Sequence, residues 1–333
     1  MKRLLPVFAL SVLFLTGSMG FALKQPAAGE KFELNGGLLY LDTTLESGYL
    51  RGDTTYHISY YEGASGIESE LEFPLETFLI GPKIGWGYKN AQNQDKFQLN
   101  IKWLTNIGHG SGKMKDSDWL TDDLDIMEVG SAHPGLDIYS ESDIELKLNI
   151  VDVNAIYKFW PMKNLSIGPM VGYKFQQFKY DISNTNQVGF GPYAPSATAY
   201  VPGKTLNYEV TYHIPYFGLN SDVSIVKKFQ ANLKLGYTPW AFAKDRDDHI
   251  LRYKLSKGDT DGYAYLANLN AQWNFLSDLF LTIGAEYMKI HTTGTQHQYF
   301  YAGPLVGFAA DVDDKITSSQ WLFSAMITYR FSR

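Results

Sequence analysis

Cysteine is absent from all 333 residues, so no disulfide framework can hold this chain together. Beyond the first 22 residues there is no uninterrupted apolar run of about 18 residues or more, which argues against a transmembrane helix. Cations are in deficit. The formal charge is −6 with Lys2 and Arg3 counted, and both of those lie in a leader-like segment. Nucleic acid is therefore not an expected partner, and basic substrates are electrostatically favoured. No Pro-rich or Gly-Ser linker and no repeat beyond hairpin regularity divides the chain, so one domain is expected over 23–333.

Residues 1–22 have the pattern of a secretory signal: Lys2 and Arg3, an apolar stretch from Val7 to Leu15, and the small-x-small site Gly20-Phe21-Ala22. An exported chain without disulfides needs another source of stability, and a closed hydrogen-bonded sheet supplies one. The 23 Tyr and 20 Phe beside 7 Trp suit a membrane barrel with aromatic girdles.

Alternation is the clearest local signal. In 279–287 the odd positions are apolar while Thr282, Gly284 and Glu286 are small or polar. Trp321, Phe323, Ala325, Ile327, Tyr329 and Phe331 continue the pattern, and Tyr263, Tyr265, Leu269 and Trp273 oppose Asn268, Asn270, Gln272 and Asn274. Period two with one greasy and one polar face describes a barrel wall whose polar set faces the lumen. Between Ile144 and Phe159 the apolar phase slips from even to odd positions. A β-bulge near Ile150 would explain this, and so would a change from membrane wall to extramembrane wall.

Short turns near 90–94, 161–164, 226–229 and 276–278 alternate with long polar stretches near 48–66, 108–137, 181–204, 245–262 and 291–315. Read as loops, these imply an all-β fold: a ten-stranded antiparallel transmembrane β-barrel with long extracellular loops and both termini on the periplasmic side. Many strands approach twenty residues where about ten suffice to cross a bilayer, so the wall should rise above the membrane. Ten strands leave little room for a diffusion pore. Function is expected in the loops and the upper lumen.

Two polar tips stand out there, Lys115-Asp-Ser-Asp-Trp119 and Asp245-Arg-Asp-Asp-His249. They follow the third and seventh strands and can face each other across the opening. An Asp two residues before a His on an extended segment shares its face and can orient the imidazole and raise its basicity. A metal is a weaker alternative: Asp116, Asp247 and His249 offer ligands, and Asp122, Asp123, Asp125 and Glu128 offer oxygens but lack the regular calcium-loop spacing. No bound metal is expected. Gly108-His109-Gly110-Ser111-Gly112 places His and Ser two apart, yet its glycines describe a flexible entry to the Asp block better than a nucleophile. His57, His133, His213, His291 and His297 are expected to be structural or exposed.

These blocks resemble the omptin family of outer-membrane endopeptidases. The resemblance rests on 112–119, His133-Pro134, Gly172-Tyr173, 212–219, 245–249 and the closing Tyr329-Arg330-Phe331, and it covers nearly the whole exported chain. It implies that Asp247 orients His249 as the base that activates water, with Asp116 and Asp118 positioning that water and the transition state. It also implies that Asp245 lines a pocket for a basic side chain, so that Arg or Lys is expected beside the cleaved bond. No cofactor is implied beyond lipopolysaccharide as an activating lipid, together with other outer-membrane lipids as partners. The family's lipid-contacting pattern Tyr-x-Glu-x-Arg reads Tyr173-Lys174-Phe175-Gln176-Gln177 here. A family glutamate supporting the basic pocket has no counterpart, the alignment passing near Tyr56. Two rival readings remain: a catalytically silent barrel with an adhesion or structural role, and, more weakly, an outer-membrane phospholipase.

Overall fold

Strands that alternate in sequence can satisfy every backbone hydrogen bond only by pairing on both sides, and closing the ring removes the last free edge. A computed structural model describes residues 33–34, 37–62, 65–120 and 135–332; the leader, the Asp122–Glu128 group and His133-Pro134 lie outside them. The ten wall strands are β1 (Gly37–Glu62), β2 (Ser65–Pro74 and Glu76–Lys89), β3 (Asp95–Ser111 and Lys113–Trp119), β4 (Ile138–Tyr157, extended by Phe159–Met162) and β5 (Leu165–Gly189). They continue as β6 (Ala199–Val226), β7 (Phe229–His249), β8 (Lys254–Leu276), β9 (Leu279–Phe300) and β10 (Ala309–Ser332). Neighbours pair antiparallel in chain order, and β10 pairs with β1 from Asp313↔Ser59 to Ser332↔Tyr40, which closes the barrel.

The four short turns fall where expected, but the long polar stretches are mostly not loops. Residues 48–62, 181–189 and 291–300 are strand, and β7 turns into β8 through the single 3₁₀ turn Ile250–Arg252 and Tyr253. Those stretches are polar because the outward face of the upper wall meets water. Cross-strand ion pairs cover it, such as Lys179–Glu209 (3.3 Å) and Lys244–Asp259 (2.9 Å).

The phase slip on β4 follows from the same inversion. Even positions point inward along the whole strand, and the register against β5 runs unbroken from Asp143 to Ile156, so there is no bulge at Ile150. The chemistry of the two faces exchanges instead. Above, Leu146, Leu148 and Ile150 join a buried interior with Tyr56, Phe73, Phe178, Tyr180 and Tyr208. Below, Asp152 and Asn154 face the lumen, while Val151, Val153 and Ala155 turn to the apolar outer band that includes Trp103, Val171, Leu219, Leu235, Ile283 and Phe323.

The membrane-level lumen is closed by charge. Lys174, fully buried, contacts Glu286 and lies 3.4 Å from Asp152. Lys102 lies 3.5 Å from Glu46 and 3.6 Å from Glu286. The cavity lined by Glu46, Lys102, Asp152 and Glu286 is about 40 Å³, enough for a water or so and too small for a channel. The upper interior is stoppered by aromatics, with Phe73 stacked on Tyr208 at 4.2 Å. This leaves the rim as the place for chemistry.

Candidate active site

The first acid block sits in the wall. Lys113–Trp119 pairs with the upper part of β2 (Leu71↔Asp116, Ser69↔Asp118) and with β4. The Ser69 hydroxyl donates to Asp116 Oδ1 at 3.4 Å. The strand exit is stapled: the Asp137 N–H donates to the Asp118 carbonyl (3.0 Å) and the Leu120 N–H donates to Asp137 Oδ2 (2.7 Å). Such pairing fixes the carboxylates better than the loop tip anticipated from sequence.

The second block ends β7, again as wall and not as loop. Asp245 and Asp247 face inward and are buried, with Arg246 facing out. His249 Nε2 lies 2.8 Å from Asp247 Oδ2, although without the alignment of a full hydrogen bond. If the Nε2 proton is turned to Asp247, the lone pair of Nδ1 is left to act as base.

Electrostatics ties the blocks together. Burial and the charge of Asp118 push Asp116 up to about 8, Arg252 opposing and Asp247 adding. Burial pushes Asp247 up, but His249, Lys254 and Arg252 more than offset it and hold the carboxyl below its usual range. Burial lowers His249, against the pull of Asp247, so its imidazole is neutral near pH 7. Lys254, itself depressed by burial, feels Asp247, Asp116 and Asp118 together. The four predicted residues thus share one end of the barrel and one field.

Asp245 stands slightly apart. Its Oδ2 accepts from Gln296 Nε2 at 3.2 Å, and the same amide donates to Tyr56 Oη. Burial and the adjacent Asp314 raise Asp245 well above its usual range, and Asp314 is itself pushed up to about 7 by burial, with Asp247 adding.

Sequence reading missed Arg252, Lys254, Gln296 and Asp314. The inward parity of Ser256, Gly258 and Thr260 reaches Lys254, and that of Ile316 and Ser318 reaches Asp314. That signal lies in stretches whose polarity resembles a loop.

The remaining candidates do not converge. His109 lies 2.7 Å from Glu145, whereas Ser111 faces Glu76, so they form no dyad. His57 lies 2.6 Å from Glu68, His213 2.5 Å from the Tyr173 hydroxyl and His297 2.7 Å from Asp311, while His291 packs on Tyr263. These four histidines, expected to be structural or exposed, have neighbours in the wall. Among the described residues no group of three or more His, Asp and Glu side chains is arranged to hold a metal ion.

Known proteins agree with this architecture. The chain is 23% identical over 286 residues to a plasminogen activator of Yersinia pestis, covering 80% of this chain and 86% of that protein. Its fold matches the outer membrane protease OmpT from Escherichia coli with a TM-score of 0.73 at 16% identity, over 88% of this chain and 97% of the other. The sequence model of the Omptin family matches residues 40–303, and the chain belongs to that family of outer-membrane β-barrel proteases.

Proposed function

We propose that this protein is an endopeptidase of the bacterial outer membrane that hydrolyses peptide bonds beside basic residues, with its site open to the cell exterior. One observation carries the reading: His249 stands 2.8 Å from a buried Asp247, and Asp116 lies close enough to feel the charge of Asp247.

Neutral His249 takes a proton from a water between the two acid blocks as the water oxygen bonds to the peptide carbonyl carbon. Asp247 stabilises the imidazolium, which passes the proton to the amide nitrogen. The C–N bond then breaks to give an acid and an amine. Because Asp116 keeps a proton near neutral pH, the Asp116–Asp118 pair can donate to the developing oxyanion and accept from the water. Lys254 and Arg252 offset the accumulated negative charge. Asp245, below the base, receives the basic side chain by charge complementarity.

The test is a set of fluorogenic peptides with Arg-Arg, Lys-Lys or Ala-Ala at the centre, offered to refolded barrel with and without lipopolysaccharide. The lipid arm matters because the outward positions Tyr173, Phe175 and Gln177 carry no cation. Cleavage confined to the basic peptides is expected. A folded barrel that cleaves none in either lipid condition returns the weight to a catalytically silent barrel.

A further inference from the structure

We infer that Asp314, together with Asp245, forms a subsite for the guanidinium group of a substrate arginine, which makes Asp314 a specificity-determining residue. The inference rests on the endopeptidase reading above and adds a residue contributed by the last strand.

The geometry begins at Gly258 on β8. It pairs with Asp245 on one side and Gln296 on the other, and a Cβ there would overlap Asp245 Oδ1 and Asp314 Oδ2. The missing side chain is what lets two carboxylates from β7 and β10 converge. Three of their oxygens, Asp245 Oδ1 and both of Asp314, are buried without a hydrogen-bond donor. Two neutral groups beside them are unpartnered as well: Ser256 Oγ, from a fully buried residue opposite Asp247, and Tyr208 Oη, from a residue 1% exposed that feels Asp245 above all other charges.

Buried acceptors left without donors are costly unless a proton or a cation satisfies them. Without a cation, a proton shared by the two raised acids serves. A substrate cation would replace it, and the arrangement favours guanidinium over ammonium. Its planar fork carries five donors that can engage two carboxylates at once, and the tilted rings of Tyr56 and Tyr208, 5.5 Å apart, offer faces on which it can stack. Asp245 lies four residues below His249 on the same inward face, about 13 Å along the strand, a depth suited to a long side chain. Asp314, paired with Ile58 on β1, brings a second carboxylate to Asp245 from the closing strand.

The experiment compares peptides that differ only in arginine, lysine or neutral citrulline before the cleaved bond, with wild type, Asp314→Asn and Gly258→Ala, in the full refolded barrel. Binding of p-aminobenzamidine, followed by its fluorescence, gives a readout independent of hydrolysis. Asp314→Asn should raise KM for the arginine peptide about 10- to 100-fold with kcat within threefold, leave the citrulline peptide unchanged and weaken the probe by a similar factor. Gly258→Ala, which keeps both acids but fills the space between them, should do the same. An equal loss on arginine and citrulline peptides, or an arginine KM within twofold of wild type, overturns the subsite. If wild type hydrolyses nothing yet binds the probe through Asp314, the subsite stands and the endopeptidase reading falls; if it does neither, both fall.

Discussion

Replacing Lys174 with methionine should destabilise the barrel more than any surface charge change. The ammonium is fully buried between Glu286 and Asp152, and removing one partner of a buried ion pair costs about 3–5 kcal/mol. Two features place this site near the low end, about 3 kcal/mol. Glu286 keeps Lys102 at 3.6 Å, and Asp152 keeps donors from the Tyr216 hydroxyl (2.8 Å) and the Asn154 amide (3.1 Å). The double variant Lys174→Met with Glu286→Gln removes one charge of each sign and leaves Lys102 with Glu46. It should therefore cost less than the sum of the single changes, by about 0.5–3 kcal/mol. Equilibrium urea unfolding of lipid-embedded barrel, followed by tryptophan fluorescence, measures all three. A loss below about 1 kcal/mol for Lys174→Met, or strict additivity in the double variant, would refute the claim that paired charge closes this lumen.

Other consequences concern pH and packing. Asp314 is raised from 3.8 to about 7, so between those values the folded state binds more protons than the unfolded chain, and wild type loses stability as pH rises. Asp314→Asn removes that loss. Its stability relative to wild type should increase from about pH 4 to 7, by at most about 1.4 kcal/mol per unit, and then level off; a flat difference in urea titrations contradicts the buried acid pair. Hydrolysis of a citrulline peptide should plateau at or below pH 6.5, because His249 is depressed below that value, while kcat/KM for an arginine peptide should keep rising towards pH 7 as the acid pair ionises; superimposable profiles count against both assignments. Gly172→Ala drives a methyl into the Tyr216 ring and should cost about 1–3 kcal/mol of unfolding stability, whereas Gly203→Ala, which meets no neighbouring atom but holds a positive φ, should act through backbone strain alone.

The wall was legible because period two survives wherever one face is wet and the other greasy, as in 279–287 and 321–331. The inversion on β4 was visible too, as a slip whose cause sequence could not assign: side-chain direction is unchanged from Leu146 to Ile156, and only the surroundings of the two faces exchange. The strands run further than the loop bounds read from sequence, for the same reason. Stretches such as 48–62 carry polar residues outward into water and therefore resemble loops in composition. That resemblance hides Asp314 inside the acidic run Asp311-Val-Asp-Asp314, and it hides Lys254 beyond a presumed tip. The proposed set of Asp116, Asp118, Asp247 and His249 is legible in sequence because two short blocks carry it. Its charge coupling across the opening is a property of barrel closure that no local pattern contains.

The most direct test of the central claim is kcat on an arginine peptide for His249→Ala and Asp247→Asn, in barrels shown to be folded by their far-ultraviolet spectrum and by heat-modifiable gel mobility. If Asp247 and His249 activate the attacking water, His249→Ala should lose about 10²- to 10⁴-fold and Asp247→Asn a large part of that. Turnover within threefold of wild type in a folded His249→Ala barrel would contradict the account.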